Sequence, residues 1–417
     1  MTTVKWSSMF PMSVLQFPTQ YYFPAPKRLA GSTQLSPIPN EIYLEIFDHL
    51  SPSYANGFTE SECKHALTNL ALVCRFFCAM ALPRIFKSLE FSGSLSNEPS
   101  AKPSYASFCR AVIKGQEPAA SLSLYVKECT FTSWRREDTI SDWVSHGFLG
   151  MYGQALGRMS NLQSVSLHMV DVDKRFLKAI CGLKSLQSLS IQFCSLDRTG
   201  NITDRVIQKL TPLKLKSFSY RAFVDDPLQA KVFARIVNTS SLESLQVNSW
   251  IVARNIFMEF GMESSLIDLD LSEARDDPIW WKVLDLSKAM KSMRIGRLTR
   301  PAGDPSSITP LSPSSMPQLC TLDAPLLLAL AIVPGRPLHT IIIPDRPCCS
   351  PIRVVEINQL KCSTIPVRVL DISDAISRQI SFDFFPQLEV LRLSYNCDHD
   401  KQDLCSKPSL FEDVSLI

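Results

Sequence analysis

Glycine is scarce, at 14 of 417 residues, roughly 3% where globular chains average ~7%. With 45% of the chain hydrophobic, a collagen-like, low-complexity or wholly disordered chain is excluded, because enough apolar material is present to bury a core. Charge of one sign is equally short: 43 Lys+Arg against 40 Asp+Glu leaves 43 − 40 = +3. No basic tract stands out, so neither a nucleic-acid nor a membrane-surface partner is expected. Long apolar runs are missing too. The longest, Ala324 to Val333, has about half the ~20 residues that span a bilayer. The first thirty residues are rich in aromatics and prolines but lack the continuous apolar segment of a secretory signal. The expected location is therefore intracellular, in the cytoplasm, the nucleus or both.

Familiar catalytic signatures are also absent. The chain has no G-x-S-x-G, G-x-x-x-x-G-K-[ST], H-E-x-x-H or G-x-G-x-x-G. Gly147, Gly150, Gly153 and Gly157 recur at helical spacing, unlike a phosphate-cradling loop. His146 and His168 have no neighbouring nucleophile in sequence. Asp225-Asp226 and Asp276-Asp277 each stand just before a proline, which suits helix starts or turns better than paired-acid catalysis. Without secretion, the thirteen cysteines are expected to act as small hydrophobes and not as disulfides. Cys348-Cys349 follows a proline. Cys397-Asp398-His399 with Cys405 comes nearest to a metal set but lacks the paired C-x₂-C spacing of zinc sites. The expectation is a non-enzyme without metal or cofactor, although an enzyme with an unfamiliar site stays open as the remote alternative.

The length allows two to four domains, or one domain with an elongated array. Residues 1–35 read as a flexible lead, 36–91 as a helical segment, 92–120 as a connector with a short helix near Phe108 to Ile113, and 121–410 as a repetitive array. Pro301 to Pro317 reads as an irregular Pro/Ser-rich loop.

In the helical segment, Asn40 is a candidate N-cap with Glu41 in the first turn. At 100° per residue, Glu41, Glu45, Asp48 and His49 occupy roughly 100° of arc. Ile42, Tyr43, Leu44, Ile46, Phe47 and Leu50 spread over about 200°, more than one packing face needs. A second helix, about Glu60 to Leu82, has the same excess, with Arg75 the lone charge from Leu70 to Leu82. So small a unit cannot bury this surface internally, and an apolar partner is expected. The competing reading is a helical cap packed on the following repeats.

Ile38-Pro39-Asn40-Glu41-Ile42, with Ile46-Phe47 and Leu50, resembles the opening of an F-box. Leu70-x-x-Val73-Cys74-Arg75-x-Phe77, then Leu82-Pro83-x-Ile85-Phe86, resembles its closing half. Ser51 to Lys64 is longer than the usual link between these halves. The resemblance covers about 50 residues. It implies binding to the adaptor subunit of an SCF-type cullin-RING ubiquitin ligase, through Ile38, Pro39, Glu41, Ile42, Ile46, Leu50, Leu70, Val73, Cys74 and Phe77.

After residue 121 an L-x-x-L-x-L pattern recurs. It runs through Leu162-x-x-Val165-x-Leu167, Leu186-x-x-Leu189-x-Ile191, Leu215-x-x-Phe218-x-Tyr220, Leu242-x-x-Leu245-x-Val247 and Leu266-x-x-Leu269-x-Leu271, and returns at Leu388-x-x-Leu391-x-Leu393. The first five begin 24, 29, 27 and 24 residues apart, within the 20–29 window of leucine-rich repeats. Cys194 and Leu196 extend the second copy, and Asn396 the last. Between 275 and 385 the register loosens to Trp281-Leu284-Leu286, Leu319-Leu322, Leu338-Ile341-Ile343, Ile352-Val355-Ile357 and Val367-Leu370-Ile372, some only 14–15 apart. The chain resembles divergent leucine-rich repeats of the kind that follow F-boxes in many fungal proteins. The expected fold is α/β, a small N-terminal helical F-box followed by an irregular leucine-rich-repeat solenoid. An ordinary α/β domain with leucine-rich strands competes with it. Leu410 to Ile417 offers no polar capping repeat, which leaves a shortened chain open.

Stacked strands would expose Ser164, Ser166 and His168; Ser188, Ser190 and Gln192; Ser217, Ser219 and Arg221; Gln246 and Asn248; Asp268, Asp270 and Glu273; and Arg392 and Tyr395. A polar concave face is where such arrays bind. The expected function is a substrate receptor, with the F-box on the adaptor and the repeats holding an unknown target protein. The alternative is a leucine-rich-repeat interaction scaffold unconnected to ubiquitination.

Overall fold

Alternating apolar and polar residues over four or five positions form a strand buried on one face. In the computed structural model of the chain, Ser188–Gln192 and its counterparts do this, turning Leu189 and Ile191 inward. The structure describes residues 29–30, 33–34, 36, 38–50, 59–93, 105–135, 142–196, 204–260, 265–299, 311–344, 358–394 and 414–415. They divide into two compact units, Met1–Ile202 and Thr203–Ile417.

The first unit opens with a small antiparallel pair, β1 (Leu29–Ala30) and β2 (Thr33–Gln34). Three helices follow: α1 (Asn40–His49), α2 (Glu60–Ala71) and α3 (Arg75–Ile85). Then come β3 (Ser88–Ser92), α4 (Ala106–Ile113), α5 (Ala119–Ser123), β4 (Glu128–Trp134), α6 (Asp142–Leu156), β5 (Ser164–Val172), α7 (Lys174–Cys181), β6 (Ser188–Gln192) and β7 (Ser195–Leu196). β3, β4, β5 and β6 pair in parallel, and β7 pairs with the far end of β5. In register, Leu89, Cys129, Val165 and Leu189 form one buried row, and Phe91, Phe131, Leu167 and Ile191 the next. α6 and α7 cover these rows with Tyr152 and Phe176. A Cβ at Gly153 would stand 3.1 Å from the Phe176 ring, so glycine lets the two helices meet.

The second unit contains α8 (Asp204–Gln208), β8 (Ser217–Arg221), α9 (Pro227–Ile236), β9 (Ser244–Val247), α10 (Trp250–Phe260), β10 (Asp268–Leu271), β11 (Ala274–Arg275), α11 (Pro278–Leu286), β12 (Ser292–Ile295), β13 (Leu298–Thr299), β14 (Thr321–Asp323), α12 (Leu326–Ile332), β15 (Thr340–Ile342), β16 (Val369–Ser373), α13 (Asp374–Ser377), β17 (Val390–Ser394) and β18 (Val414–Ser415). β8, β9, β10, β12, β14, β15, β16 and β17 pair in parallel in that order, and β18 joins β17 antiparallel. Parallel neighbours need a crossover, and here helices supply most of them. Asp226 and Asp277 cap α9 and α11, each followed by proline at the first helical turn. That gives both aspartate pairs a role in starting helices. The carboxyl end of α12 is closed by the fully buried Arg336. Its guanidinium donates to the Ile332 carbonyl and, at 2.8 Å each, to those of Pro334 and Ser312. Burial, partly offset by Asp285, lowers its pKa to about 10.

These observations correct the expected fold. The chain is an α/β protein whose two units are each built on a parallel sheet, in place of a small helical F-box followed by an irregular leucine-rich-repeat solenoid. Only Phe86 and Lys87 separate α3 from β3, so the helical segment runs straight into a sheet strand. Over 275–385, β12, β14, β15 and β16 continue the parallel register. Trp281-Leu284-Leu286 is helical, within α11. β15 pairs directly with β16, Ile341 against Leu370, while Ile352-Val355-Ile357 lies outside the described residues. The expected helix over Glu60 to Leu82 breaks at Leu72–Val73, and Cys74 caps α3 through a Phe77 N–H···Sγ contact of 3.5 Å. Pro39, not Asn40, stands at the start of α1.

Candidate interaction surfaces

α1 turns a narrow stripe inward. Tyr43 meets Phe76 and Phe77 at ring-centroid distances of 5.3 and 5.6 Å, and Phe47 meets Phe77 at 5.8 Å. The Arg84 guanidinium lies 5.6 Å from the centre of the Phe47 ring and pairs with Asp48 at 2.5 Å, fastening α1 to α3. This stripe leaves the rest of the broad apolar arc facing outward. Ile42 and Leu44 are each 45% exposed and Ile46 48%; at the α2–α3 turn, Leu72 is 51% and Val73 65% exposed. Of the other residues assigned to adaptor binding, Pro39 and Glu41 are exposed, whereas Ile38, Leu50, Leu70 and Cys74 are half-buried. Phe77 belongs to the internal ring cluster. Leu44 and Leu72 were outside the assigned set, although both lay in apolar stretches too dense for one packing face.

The outward residues of the strands form rows across each unit's sheet. In the first unit His168 and Gln192 are register partners, above Ser166–Ser190 and Ser164–Ser188. Gln192 donates to Ser190 Oγ at 3.3 Å, and the His168 ring meets Phe193 edge-on at 5.8 Å. Just beyond this row, Ser133, Met169 and Phe193 all adopt positive φ, at 60°, 56° and 55°. The Arg135 guanidinium donates to the Phe193 carbonyl at 2.6 Å.

In the second unit Ser219 donates to Gln246 Oε1 at 3.0 Å, and Gln246 donates to Asp270 at 3.0 Å. Arg294 lies 3.8 Å from Asp270 and 2.9 Å from Asp323. Asn248 turns away from this row. Its amide donates to the Ala222 carbonyl at 2.7 Å and accepts from the Ala222 N–H at 2.9 Å, pinning the loop after β8. Glu273 accepts from Thr299 Oγ1 at 3.3 Å. Arg221, Asp268 and Arg392 are exposed, and Tyr395 lies outside the described residues. Reading the sequence missed Arg294, Asp323, Ile342 and Asp371, which fill the middle of the row. The signal for Asp371 was present, since Leu370-x-Ile372 makes the intervening residue the outward one.

No helix among the described residues is long and apolar enough to cross a membrane. Nor does any group of three or more His, Cys, Asp or Glu among them stand ready to hold a metal ion. Cys397-Asp398-His399 with Cys405, and Cys348-Cys349, lie outside them. The nine described cysteines are free thiols. Burial raises the thiol pKa of Cys109 and Cys181 to about 12 and of Cys194 to about 11, and holds Cys129 well above its usual value. A thiol kept neutral is a poor nucleophile. In mass-mapped iodoacetamide labelling of the native chain at pH 8, these four are expected to stay unmodified while the exposed Cys362 reacts. Labelling of all four after denaturation completes the expected result, and rapid native labelling of Cys129 would contradict it.

The sequence matches no protein-family model and no curated protein. The functional reading therefore rests on the two surfaces themselves, one apolar and helical, the other a polar sheet face.

Proposed function

We propose that the chain is the substrate-recognition subunit of an SCF-type cullin-RING ubiquitin ligase, working in the cytoplasm or nucleus. Helices α1 to α3 dock on the adaptor, and the polar sheet face holds a target protein. One observation carries the reading: Ile42, Leu44, Ile46, Leu72 and Val73 stand exposed on a helical segment whose inward face is already filled by Tyr43, Phe47 and Phe76. Several large apolar side chains held outward on short, well-packed helices suit an obligate partner better than solvent. Ile42, Ile46 and Val73 are also among the residues through which the F-box resemblance assigns adaptor contact. The chain's role would be positional. Holding a target beside a charged conjugating enzyme raises effective concentration, while bond-making falls to other subunits.

Co-expression of the full chain with the adaptor and cullin, followed by size-exclusion chromatography, tests this. One co-eluting complex is expected. A folded chain that elutes apart from the adaptor would sink the proposal.

A further inference from the structure

On the open face of the second unit, Ser219, Gln246, Asp270, Arg294, Asp323, Ile342, Asp371 and Arg392 form one row, each in register with the next. From Ser219 to Asp323 the row is closed by the hydrogen bonds and ion pairs described above. The sequence of contacts stops at Ile342, an aliphatic residue at a half-buried outward position. Beyond it, Asp371 makes no side-chain hydrogen bond or close ion pair among the described residues, with Arg392 acting on it only as a neighbouring charge. Asp323 and Asp371 are two strands apart, about 9–10 Å at ordinary strand spacing, with Ile342 between them. The row holds three carboxylates, Asp270, Asp323 and Asp371, against two guanidiniums, Arg294 and Arg392, so its balance is 2 − 3 = −1.

We infer that this face docks a lysine or arginine side chain of the target protein, its cation between Asp371 and Asp323 and its aliphatic stem across Ile342. Long basic side chains are built for such a place, with an apolar stem and a charged head. A neutral or apolar occupant would bury Asp371 with only the neighbouring Arg392 as a counter-charge and no ion pair of its own, which is costly. An acidic occupant would meet two carboxylates. Partial burial, opposed by Arg392 and reinforced by Asp323, already holds the Asp371 carboxyl above its usual range, so an incoming cation relieves a penalty that the fold leaves in place.

The inference rests on reading this face as a target-docking surface and is independent of adaptor docking, so its test uses the full chain alone. A random-peptide phage library is panned on immobilised wild type, on Asp371→Asn, on Asp371→Lys and, as control, on Glu243→Gln. Glu243, the residue before β9, is a half-exposed carboxylate paired with Lys216, the residue before β8. Wild type and Glu243→Gln are expected to enrich peptides with a Lys or Arg anchor. Asp371→Asn should weaken binding of those peptides about fivefold, the scale of one partly screened ion pair, and Asp371→Lys should shift the anchor to Asp or Glu. Both substitutions sit on an outward position, and an unchanged melting temperature verifies folding. Peptide pools with no basic anchor, or with the same anchor on wild type and Asp371→Lys, overturn the inference, as does a wild type that enriches nothing.

Discussion

Replacing Ile42 and Ile46 together with aspartate is expected to abolish adaptor retention, weakening it at least about a hundredfold, while the melting temperature stays within about 2 °C of wild type. Both side chains are roughly half exposed and belong to α1's outward face, and surface substitutions of this kind usually change stability by only a few tenths of a kcal/mol. Ile42 also sits in the first turn of α1, where an added carboxylate is favoured by the helix dipole. At a buried apolar interface the balance reverses. Two carboxylates would lose their hydration against hydrocarbon, at a cost of several kcal/mol, and about 2.7 kcal/mol already corresponds to a hundredfold. Pull-down on adaptor resin and a melting curve on the same preparation decide the matter. Retention unchanged in the double variant would remove the docking role of α1, whereas loss of retention with a large fall in melting temperature would mean that α1 had been misread as outward-facing. Val73→Asp, at the α2–α3 turn, should act in the same direction.

The strands were legible because an L-x-x-L-x-L unit is itself a strand with two buried side chains. Val165 and Leu167, Leu189 and Ile191, and Leu269 and Leu271 all fall in parallel register positions. β3 and β4 escaped notice because aromatics and a cysteine take the leucine places, Leu89 with Phe91 and Cys129 with Phe131. Trp281-Leu284-Leu286 misled for the opposite reason. A short, densely apolar stretch reads equally as strand or helix, and the Asp277 cap with Pro278, an available signal, decides for the helix. Architecture was less legible than strand position, since no strand motif states whether the helices before it form a separate domain or lead directly into the sheet. On the helical segment, the excess apolar arc was visible, but which part faces inward was not. That was decided by the rings of Tyr43, Phe47 and Phe77 finding one another across sequence, so Phe77 turned out internal while Leu44 and Leu72 turned out exposed. The polar row was legible at Gln246, Asp270 and Arg392, whose strands carry the L-x-x-L-x-L unit, and lost at Arg294, Asp323 and Ile342, whose short strands fall where that unit loosens.

Phe131→Ala is expected to lower the melting temperature of the first unit by roughly 8–16 °C. The ring is fully buried and joins the sheet to both covering helices. It stacks on Phe91 at 4.7 Å, meets Phe176 of α7 edge-on at 5.0 Å and approaches Tyr152 of α6 at 6.2 Å. Truncating a buried phenylalanine to alanine costs about 3–5 kcal/mol through lost transfer energy and the cavity left behind. A unit of this size shifts by about 2–4 °C per kcal/mol, so a loss of about 4 kcal/mol gives the stated range. Neighbouring side chains have little room to fill the space. Phe91 is held in place by the Trp134 indole, which donates to its carbonyl at 2.7 Å, and the contact at Gly153 already sets how closely α6 and α7 approach. Phe131→Leu keeps most of the volume and should lose less than about 1.5 kcal/mol. Scanning calorimetry of the three proteins separates a packing role from a generic loss of hydrophobicity. If the alanine and leucine variants melt together within about 2 °C, the ring cluster is not what joins these helices to the sheet.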